Sequence, residues 1–176
     1  FRQSLNRTVR TILALTLPSA ILLSIGIQPL IGILGFDSTG TKLVVWTVRA
    51  YMAGLIGHSL LEVAVRAFYA RQKALTPLIT SGLTAVAFII LGIILTPLLG
   101  APGIGLANTL AFTAEALLLM WLISKKYPGW IQLDRPILRI VLASLGSGIL
   151  AYILISLIPW ASYSSLISAL VGMGVL

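Results

Sequence analysis

The sequence predicts an all-α protein that crosses a membrane about six times, with the last helix truncated. Three observations lead to this fold class. Apolar residues make up 59% of the 176 residues and charged residues only 9%, and the mean hydropathy is +1.07, outside the range of a soluble protein with a wetted surface. The apolar residues fall into runs of roughly 20, the length that a helix needs to cross a hydrocarbon core about 30 Å thick. Short polar or Pro/Gly-rich stretches separate these runs.

Composition also argues against several classes of function. The chain has no cysteine and one histidine, which leaves no thiolate ligand and little basis for a protein-built zinc site. The net charge of +8 comes from 12 Lys and Arg residues that are dispersed between the apolar runs, so nucleic acid is not an expected partner. Neither a nucleophile with its base and orienting acid nor a phosphate-binding loop is present. We therefore expect no metal, no cofactor and no enzymatic activity.

The first two spans are joined by a short polar turn. A basic segment, Phe1 to Arg10, precedes the first span, which runs from Thr11 to about Leu34. Pro18 removes a backbone N–H donor inside this span and predicts a kink. Phe36 to Thr41 is expected to form the turn, and the second span follows from Leu43 to about Tyr69.

The third and fourth spans are predicted to meet at a tight loop. A basic link, Ala70 to Thr76, leads to Pro77, which suits the first turn of the third span. That span ends near Leu95. The following stretch, Thr96 to Gly105, contains two prolines and three glycines and predicts a tight re-entry before the fourth span, Ile104 to Ser124.

The remaining residues form a connector and a pair of helices. Residues 125–135 are polar, with aromatic side chains of the kind that settle at lipid headgroups, and are expected to form a cytoplasmic connector. The fifth span runs from about Pro136 to Ile158, and a sixth begins near Ser165 and is cut off. We therefore divide the chain into a four-helix part, 1–124, the connector, and an incomplete helix pair, 136–176.

The charges between the spans predict the orientation, because basic segments are retained on the cytoplasmic side. The segment before the first span and the links between the second and third and the fourth and fifth spans are basic, whereas the other three links contribute Lys42 alone. We therefore expect the first residue of this chain to lie in the cytoplasm. The basic residues on this side are Arg2, Arg7, Arg10, Arg71, Lys73, Lys125, Lys126, Arg135 and Arg139.

The organising stretch of the chain is Leu43 to Pro77, because it carries ionisable side chains within a membrane span. Arg49 and Glu62 are thirteen residues apart, about 20 Å along a helix, so they cannot both lie outside the hydrocarbon core. His58, Glu62 and Arg66 follow at steps of four and form one slowly turning polar stripe, from which Arg49 points away. Ionisable side chains in lipid cost several kcal/mol each, so we expect this stripe to face the protein interior or a cavity.

Alternative roles stay open for these residues. Glu62 and Arg66 could line a cavity, or they could form an ion pair at the cytoplasmic boundary with Arg66 extended towards headgroups. Arg49 is better explained as an outer-half residue that snorkels than as a ligand contact. Glu115 lies too deep in its span to snorkel and is expected to have a functional or structural polar partner, or else to be protonated. The candidate partners are His58, at similar depth, and Arg49, which is shallower.

Two stretches resemble a known family. The run RAYMAGLIGHSLLEVAVRAFYARQKALTPL, Arg49 to Leu78, and the run PLLGAPGIGLANTL, Pro97 to Leu110, are similar to the second half of the MurJ (MviN) lipid II flippases of the multidrug/oligosaccharidyl-lipid/polysaccharide exporter superfamily. The segment FYARQKALTP is the most specific part, with an aromatic pair, a basic turn and Thr-Pro at the start of the next helix. The resemblance implies that the six spans are helices nine to fourteen of a fourteen-helix transporter, in which 1–124 belongs to the second lobe.

The resemblance also implies a function. Transport would occur without covalent chemistry: lipid II, a peptidoglycan precursor on an undecaprenyl pyrophosphate carrier, would move from the inner to the outer leaflet of the bacterial plasma membrane by alternating access. The implied partners are this lipid, other membrane lipids and the N-terminal lobe of the same chain, and the last two helices would line a groove for the lipid tail. The family's cavity arginines lie on helices outside this chain and are not carried over to it. The candidate cavity residues come instead from the ionisable side chains within the spans: Arg49, His58, Glu62, Arg66 and Glu115.

Two other functions are compatible with the same residues. One is export of lipid-linked polysaccharides or cationic drugs by a relative in the same superfamily, and the other is a non-transporting membrane scaffold in cell-wall synthesis. A basic cavity would favour pyrophosphate and an acidic cavity would favour cationic drugs. The candidate interior charges are mixed and do not decide between them.

Overall fold

The computed structural model describes residues 2–33, 36–126 and 135–157, and the chain forms five α-helices within these ranges. Each helix is long and apolar enough to cross a membrane, which confirms the all-α, multi-pass membrane fold. The expected sixth span and most of the predicted connector lie outside the described residues. The helices are α1 (Arg2–Ile33), α2 (Ser38–Tyr69), α3 (Leu75–Leu99), α4 (Ala101–Lys126) and α5 (Arg135–Leu157).

The five helices pack side by side in the order α3, α4, α2, α1, α5. Consecutive helices from α1 to α4 run in opposite directions, so that α2 and α4 are parallel neighbours, and α5 runs parallel to α1. α4 lies between α2 and α3 and is the most buried of the five. The outward faces of α3 and α5 expose large aliphatic side chains such as Leu83, Ile93, Leu142 and Ile149, as suits contact with lipid tails.

An apolar core lies at the end of the helices where α1 begins and where α2 and α4 end. Its side chains come from all three helices and hold them together at this end. The buried members are Val9, Val63, Ala64, Ala67, Leu119, Met120 and Ile123.

Small residues bring α2 and α4 close together. Gly54 and Gly57 of α2 lie directly against Thr109 and Thr113 of α4, and a Cβ atom at either glycine would overlap the facing threonine. The Thr109 hydroxyl donates a hydrogen bond to the Ala50 carbonyl at 2.6 Å. Small side chains allow helix backbones to approach within a membrane, where no hydrophobic force drives helices together. The α2–α4 pair therefore forms the tightly packed centre of the structure.

Two helices begin earlier than the sequence predicts. The basic segment before the first span is part of α1, because its polar residues include neither Pro nor Gly to stop the helix. α2 begins at Ser38, where the Asp37 side chain accepts a hydrogen bond from the Gly40 backbone N–H at 3.0 Å and caps the helix. The predicted turn of six residues is therefore wrong in length.

The re-entry between the third and fourth spans is also shorter than predicted. α3 starts at Leu75 with Pro77 in its first turn, as expected, but it continues through Pro97 to Leu99. Gly100 is then the single residue between α3 and α4, with φ of 66° and ψ of −143°. A positive φ costs glycine little, which permits this abrupt reversal. The location of the reversal is confirmed and its length is corrected.

Candidate functional site

The ionisable side chains of α2 divide between the two neighbours of that helix. His58 is half-buried against α4, where its Nε2 lies 2.9 Å from Asn108 Oδ1 and its ring centre lies 4.7 Å from that of Phe112. Glu62 and Arg66 lie on the α1 side instead. Each step of four residues turns the position by about 40°, so Glu62 lies about 40° and Arg66 about 80° round α2 from His58. The predicted polar stripe is thus split, with His58 on the α4 side.

Glu62 and Arg66 lie at a groove between α1 and α2 that has a volume of about 560 Å³. Arg66 Nη2 lies 3.5 Å from Glu62 Oε2, and the two side chains are 79% and 69% exposed. Thr8, Thr16 and Ser59 add hydroxyl groups to a lining that is otherwise aliphatic. We call this feature the α1–α2 groove. Its walls are mostly aliphatic, with one ion pair and three hydroxyl groups.

The position of the ion pair in the membrane restricts what it can face. Glu62 lies seven residues before the end of α2, which places it about 10 Å inside that end. A charged side chain exposed to lipid at this depth costs several kcal/mol, whereas an exposed ion pair contributes at most about 1 kcal/mol. α2 has 32 residues, about 48 Å, and so extends beyond a hydrocarbon core about 30 Å thick. Two positions therefore suit the ion pair: a groove that faces water or polar protein surface, or the boundary of the hydrocarbon core.

Arg49 lies in the other half of α2 and contacts α1. Its Nε donates to the Ser24 carbonyl at 3.0 Å, and its Nη2 donates to Gln28 Oε1 at 3.4 Å. The guanidinium carbon lies 5.7 Å from the Trp46 ring centre, within range of a cation–π interaction. The guanidinium is thus half-buried against α1, where carbonyl and amide oxygens hold it.

Glu115 is a buried carboxyl at the interface of α4 with α3. It is 3% exposed, and its Oε1 accepts hydrogen bonds from the Ser81 hydroxyl at 2.7 Å and from the Thr80 hydroxyl at 3.1 Å. The Thr80 hydroxyl also lies 3.0 Å from the Pro77 carbonyl. The sequence correctly indicates that Glu115 faces the interior and has a polar partner.

The partners expected for Glu115 are nevertheless wrong. α2 and α4 are parallel neighbours, as a contact between His58 and Glu115 would require. His58, however, lies at the level of Asn108 and not of Glu115. Asn108 is seven residues from Glu115, about 10 Å along α4. Arg49 is engaged with α1 on the far side of α2. The two helices are staggered, and depth counted from approximate span ends could not show this.

Three residues that hold these side chains were not predicted as partners from the sequence. Asn108 is an amide within an apolar span, and Thr80 and Ser81 are adjacent hydroxyl-bearing residues in the largely apolar α3. Polar residues within spans usually hydrogen-bond across helices, so their presence was a usable signal. The identity of each partner required the packing order of the helices.

Comparison with known proteins identifies the family. The family model described as "Lipid II flippase MurJ" matches residues 1–172. The probable lipid II flippase MurJ of Rhizobium meliloti (strain 1021) is 30% identical over 163 residues, which cover 90% of this chain and 30% of that relative. The chain thus spans less than a third of the length of the relative that it matches. The described residues form five helices that are long and apolar enough to cross a membrane, and the family model matches almost the whole chain; the chain belongs to the MurJ family of lipid II flippases.

Proposed function

We propose that this chain forms part of a lipid II flippase, which moves the lipid-linked peptidoglycan precursor from the cytoplasmic to the outer leaflet of the bacterial inner membrane. The family match and the name of the relative support this substrate. Because the chain covers 30% of that relative, the activity belongs to the intact protein. In this proposal residues 1–124 are the four-helix part of the second lobe, which alternates in access against an N-terminal lobe of the same chain.

The observation that carries the proposal is the ion pair in the α1–α2 groove. A flippase has to pass a polar headgroup through the hydrocarbon core, so its path needs polar walls at membrane depth. Glu62 and Arg66 are exposed in the α1–α2 groove, beside three hydroxyls, and the proposal places this groove within the hydrocarbon core. Arg66 would attract the pyrophosphate through charge-assisted hydrogen bonds, and Glu62 would hold its guanidinium in position.

The other candidate residues take supporting positions in this proposal. His58, bonded to Asn108, fixes α2 against α4 and so sets the direction in which the α1–α2 groove faces. Glu115 fixes α3 against α4 in the same way. Arg49 lies about 20 Å along α2 from Glu62 and is outside the groove.

The proposed orientation places the start of the chain in the cytoplasm. The helix ends that meet at the apolar core carry Arg7, Lys73, Lys125 and Arg139, whereas the opposite ends carry Lys42. Basic residues are retained on the cytoplasmic side, so this asymmetry supports the assignment. The α1–α2 groove then opens in the cytoplasmic half of the membrane, where the precursor is made available.

The C-terminal helix pair is proposed to support the lipid tail. The described part of this pair, α5, contacts α1 on one side and exposes an aliphatic face that includes Leu142, Ile149 and Ile153 on the other. Such a face offers apolar contact to a polyprenyl chain without a polar group to desolvate.

Depletion of the intact protein in its own bacterium tests the proposed function. We expect lipid II to accumulate in the inner leaflet and the cells to lyse. Expression of residues 1–176 alone should not restore growth, because this part of the transporter has no opposing lobe. A normal distribution of lipid II between the leaflets would eliminate the flippase in favour of a scaffold, and accumulation of a different lipid-linked oligosaccharide would assign another substrate.

A further inference from the structure

A second cavity lies between α1, α2 and α5, at the end of the helices opposite to the apolar core. Its volume is about 330 Å³, enough for roughly ten water molecules at about 30 Å³ each. The polar side chains that line it are Gln28 near the end of α1, Arg49 in the first half of α2, and Tyr152 and Ser156 in the last turns of α5. We call it the Arg49 cavity.

Arg49 enters this cavity with most of its hydrogen-bonding capacity unused. The contacts to the Ser24 carbonyl and the Gln28 side chain engage Nε and Nη2 and orient the guanidinium. Within the described part of the chain Arg49 makes no other hydrogen bond, so most of the N–H donors of its planar fork stay available. The guanidinium also keeps its charge at any physiological pH. It is thus a preoriented site for an anionic group.

The rest of the lining complements an anion. Tyr152 and Gln28 also line the cavity, and their hydroxyl and amide groups can donate hydrogen bonds. The described carboxylates, Asp37, Glu62 and Glu115, all lie outside the cavity. A negative group that enters would therefore meet a positive charge and neutral donors without an opposing carboxylate.

The apolar side of the cavity indicates a lipid as the source of the anion. Ile25, Pro29 and Ile155 form an aliphatic wall beside the polar groups. Tyr152 and Trp46 are 66% and 60% exposed at the same membrane end, and amphipathic aromatic side chains of this kind settle at the level of the headgroups. A phosphate placed at Arg49 would thus be at the hydrocarbon boundary, with room for attached acyl chains along the outward face of α5.

We infer that the Arg49 cavity binds the phosphate of an anionic membrane phospholipid, with Arg49 as the principal phosphate ligand and Tyr152 as a second donor. In the proposed orientation this lipid belongs to the outer leaflet. The bound lipid bridges α5 to α1 and α2 at an end that the apolar core does not reach. The site is distinct from the α1–α2 groove and does not depend on which molecule the protein transports.

Lipid binding by the intact protein in uncharged detergent tests this inference. Native mass spectrometry during titration with short-chain phosphatidylglycerol gives the amount bound and the Kd. We expect diacylglycerol of the same chain length, which lacks the phosphate, to bind about tenfold more weakly or worse. Arg49→Gln should weaken phosphatidylglycerol binding by about tenfold or more, because charge-assisted hydrogen bonds to the phosphate are lost. Arg49→Lys keeps the charge without the planar set of guanidinium donors, so its affinity for phosphatidylglycerol should lie between those of the wild type and Arg49→Gln.

A matched variant separates the cavity from the surface charge. Lys42→Gln removes the same charge from an exposed side chain at the same membrane end, outside the cavity, and should bind like the wild type. Tyr152→Phe removes one hydroxyl from an exposed side chain and should weaken phosphatidylglycerol binding severalfold without a change in thermal stability. This variant tests the inference if Arg49→Gln does not fold. Equal losses in Arg49→Gln and Lys42→Gln would overturn the inference. So would wild-type binding by Tyr152→Phe and Arg49→Lys together, or displacement of the lipid by inorganic phosphate at similar concentration.

Discussion

Two polar side chains in this bundle, Glu115 and His58, are each satisfied by hydroxyl or amide groups on a neighbouring helix. Glu115 is bonded to Thr80 and Ser81, and His58 is paired with Asn108. Burial of Glu115 could be predicted, because a carboxyl in the middle of an apolar run has to avoid lipid. Its partners could not be predicted, because they depend on the stagger between α3 and α4, and periodicity within one helix carries no information on that stagger.

Substitution of Glu115 tests its role in holding α3 against α4. Glu115→Gln keeps a carbonyl oxygen that accepts from Ser81, so we expect thermal unfolding of the intact protein in detergent to change little. Glu115→Leu leaves hydroxyls at a buried site without their acceptor and should destabilise by about 1–3 kcal/mol. Thr80→Val should destabilise the Glu115→Leu protein less than it destabilises the wild type, because both substitutions remove the same hydrogen bond. A fully active Glu115→Leu protein with raised thermal stability would show that Glu115 faces lipid.

At the scale of the helices, apolar runs predict the number, order and approximate position of the spans, whereas the ends follow local chemistry. Asp37 caps α2 earlier than the expected turn allows, although an Asp before the run was a readable capping signal. Pro97 lies inside α3, although the sequence predicted that it belongs to the loop after this helix. The reversal at Gly100 then needs one residue, because glycine accepts the positive φ.

The close approach of α2 and α4 predicts strong sensitivity at one glycine. Gly57→Ala places a methyl group against the Thr113 side chain and backbone, and overpacking of this kind costs about 1–3 kcal/mol. Gly82→Ala on α3 is the matched control, because no atom lies within 4 Å of the added Cβ. Removal of a helical glycine at that open site should be neutral or stabilising by up to about 1 kcal/mol. Thermal unfolding in detergent measures both, and equal effects would contradict the close packing at Gly57.

At the scale of the whole molecule, the lateral order of the helices was beyond sequence reasoning. Hydropathy indicates which segments enter the membrane but not which segments touch, so the separation of α3 and α5 to opposite edges appears only in the structure. The distribution of charge, unlike hydropathy, does indicate which helix ends lie on the same side. The basic residues lie at alternate span ends in the sequence, and antiparallel packing gathers those ends on one side. That side is the cytoplasmic side in our proposal.

Cysteine labelling tests the orientation. Single cysteines replace Lys42 or Lys73 in an intact protein without other cysteines, and this part of the chain has none to remove. An impermeant thiol reagent added to intact cells should label position 42, and position 73 should react only after the membrane is opened. The two sites lie in exposed positions at opposite helix ends, so each controls for the reactivity of the other. Labelling of position 73 but not of position 42 in intact cells would reverse the proposed orientation.

The proposed function requires that the α1–α2 groove lies on the path of the precursor. Photocrosslinking measures this contact directly, with a photoreactive amino acid at Ser59 in the groove or at Leu83 on the lipid-facing side of α3. Each intact variant is illuminated in membranes that contain labelled lipid II. We predict a lipid II adduct at position 59 and at most a trace at position 83. An adduct at position 83 as abundant as that at position 59, or none at position 59 in an active protein, would contradict the account.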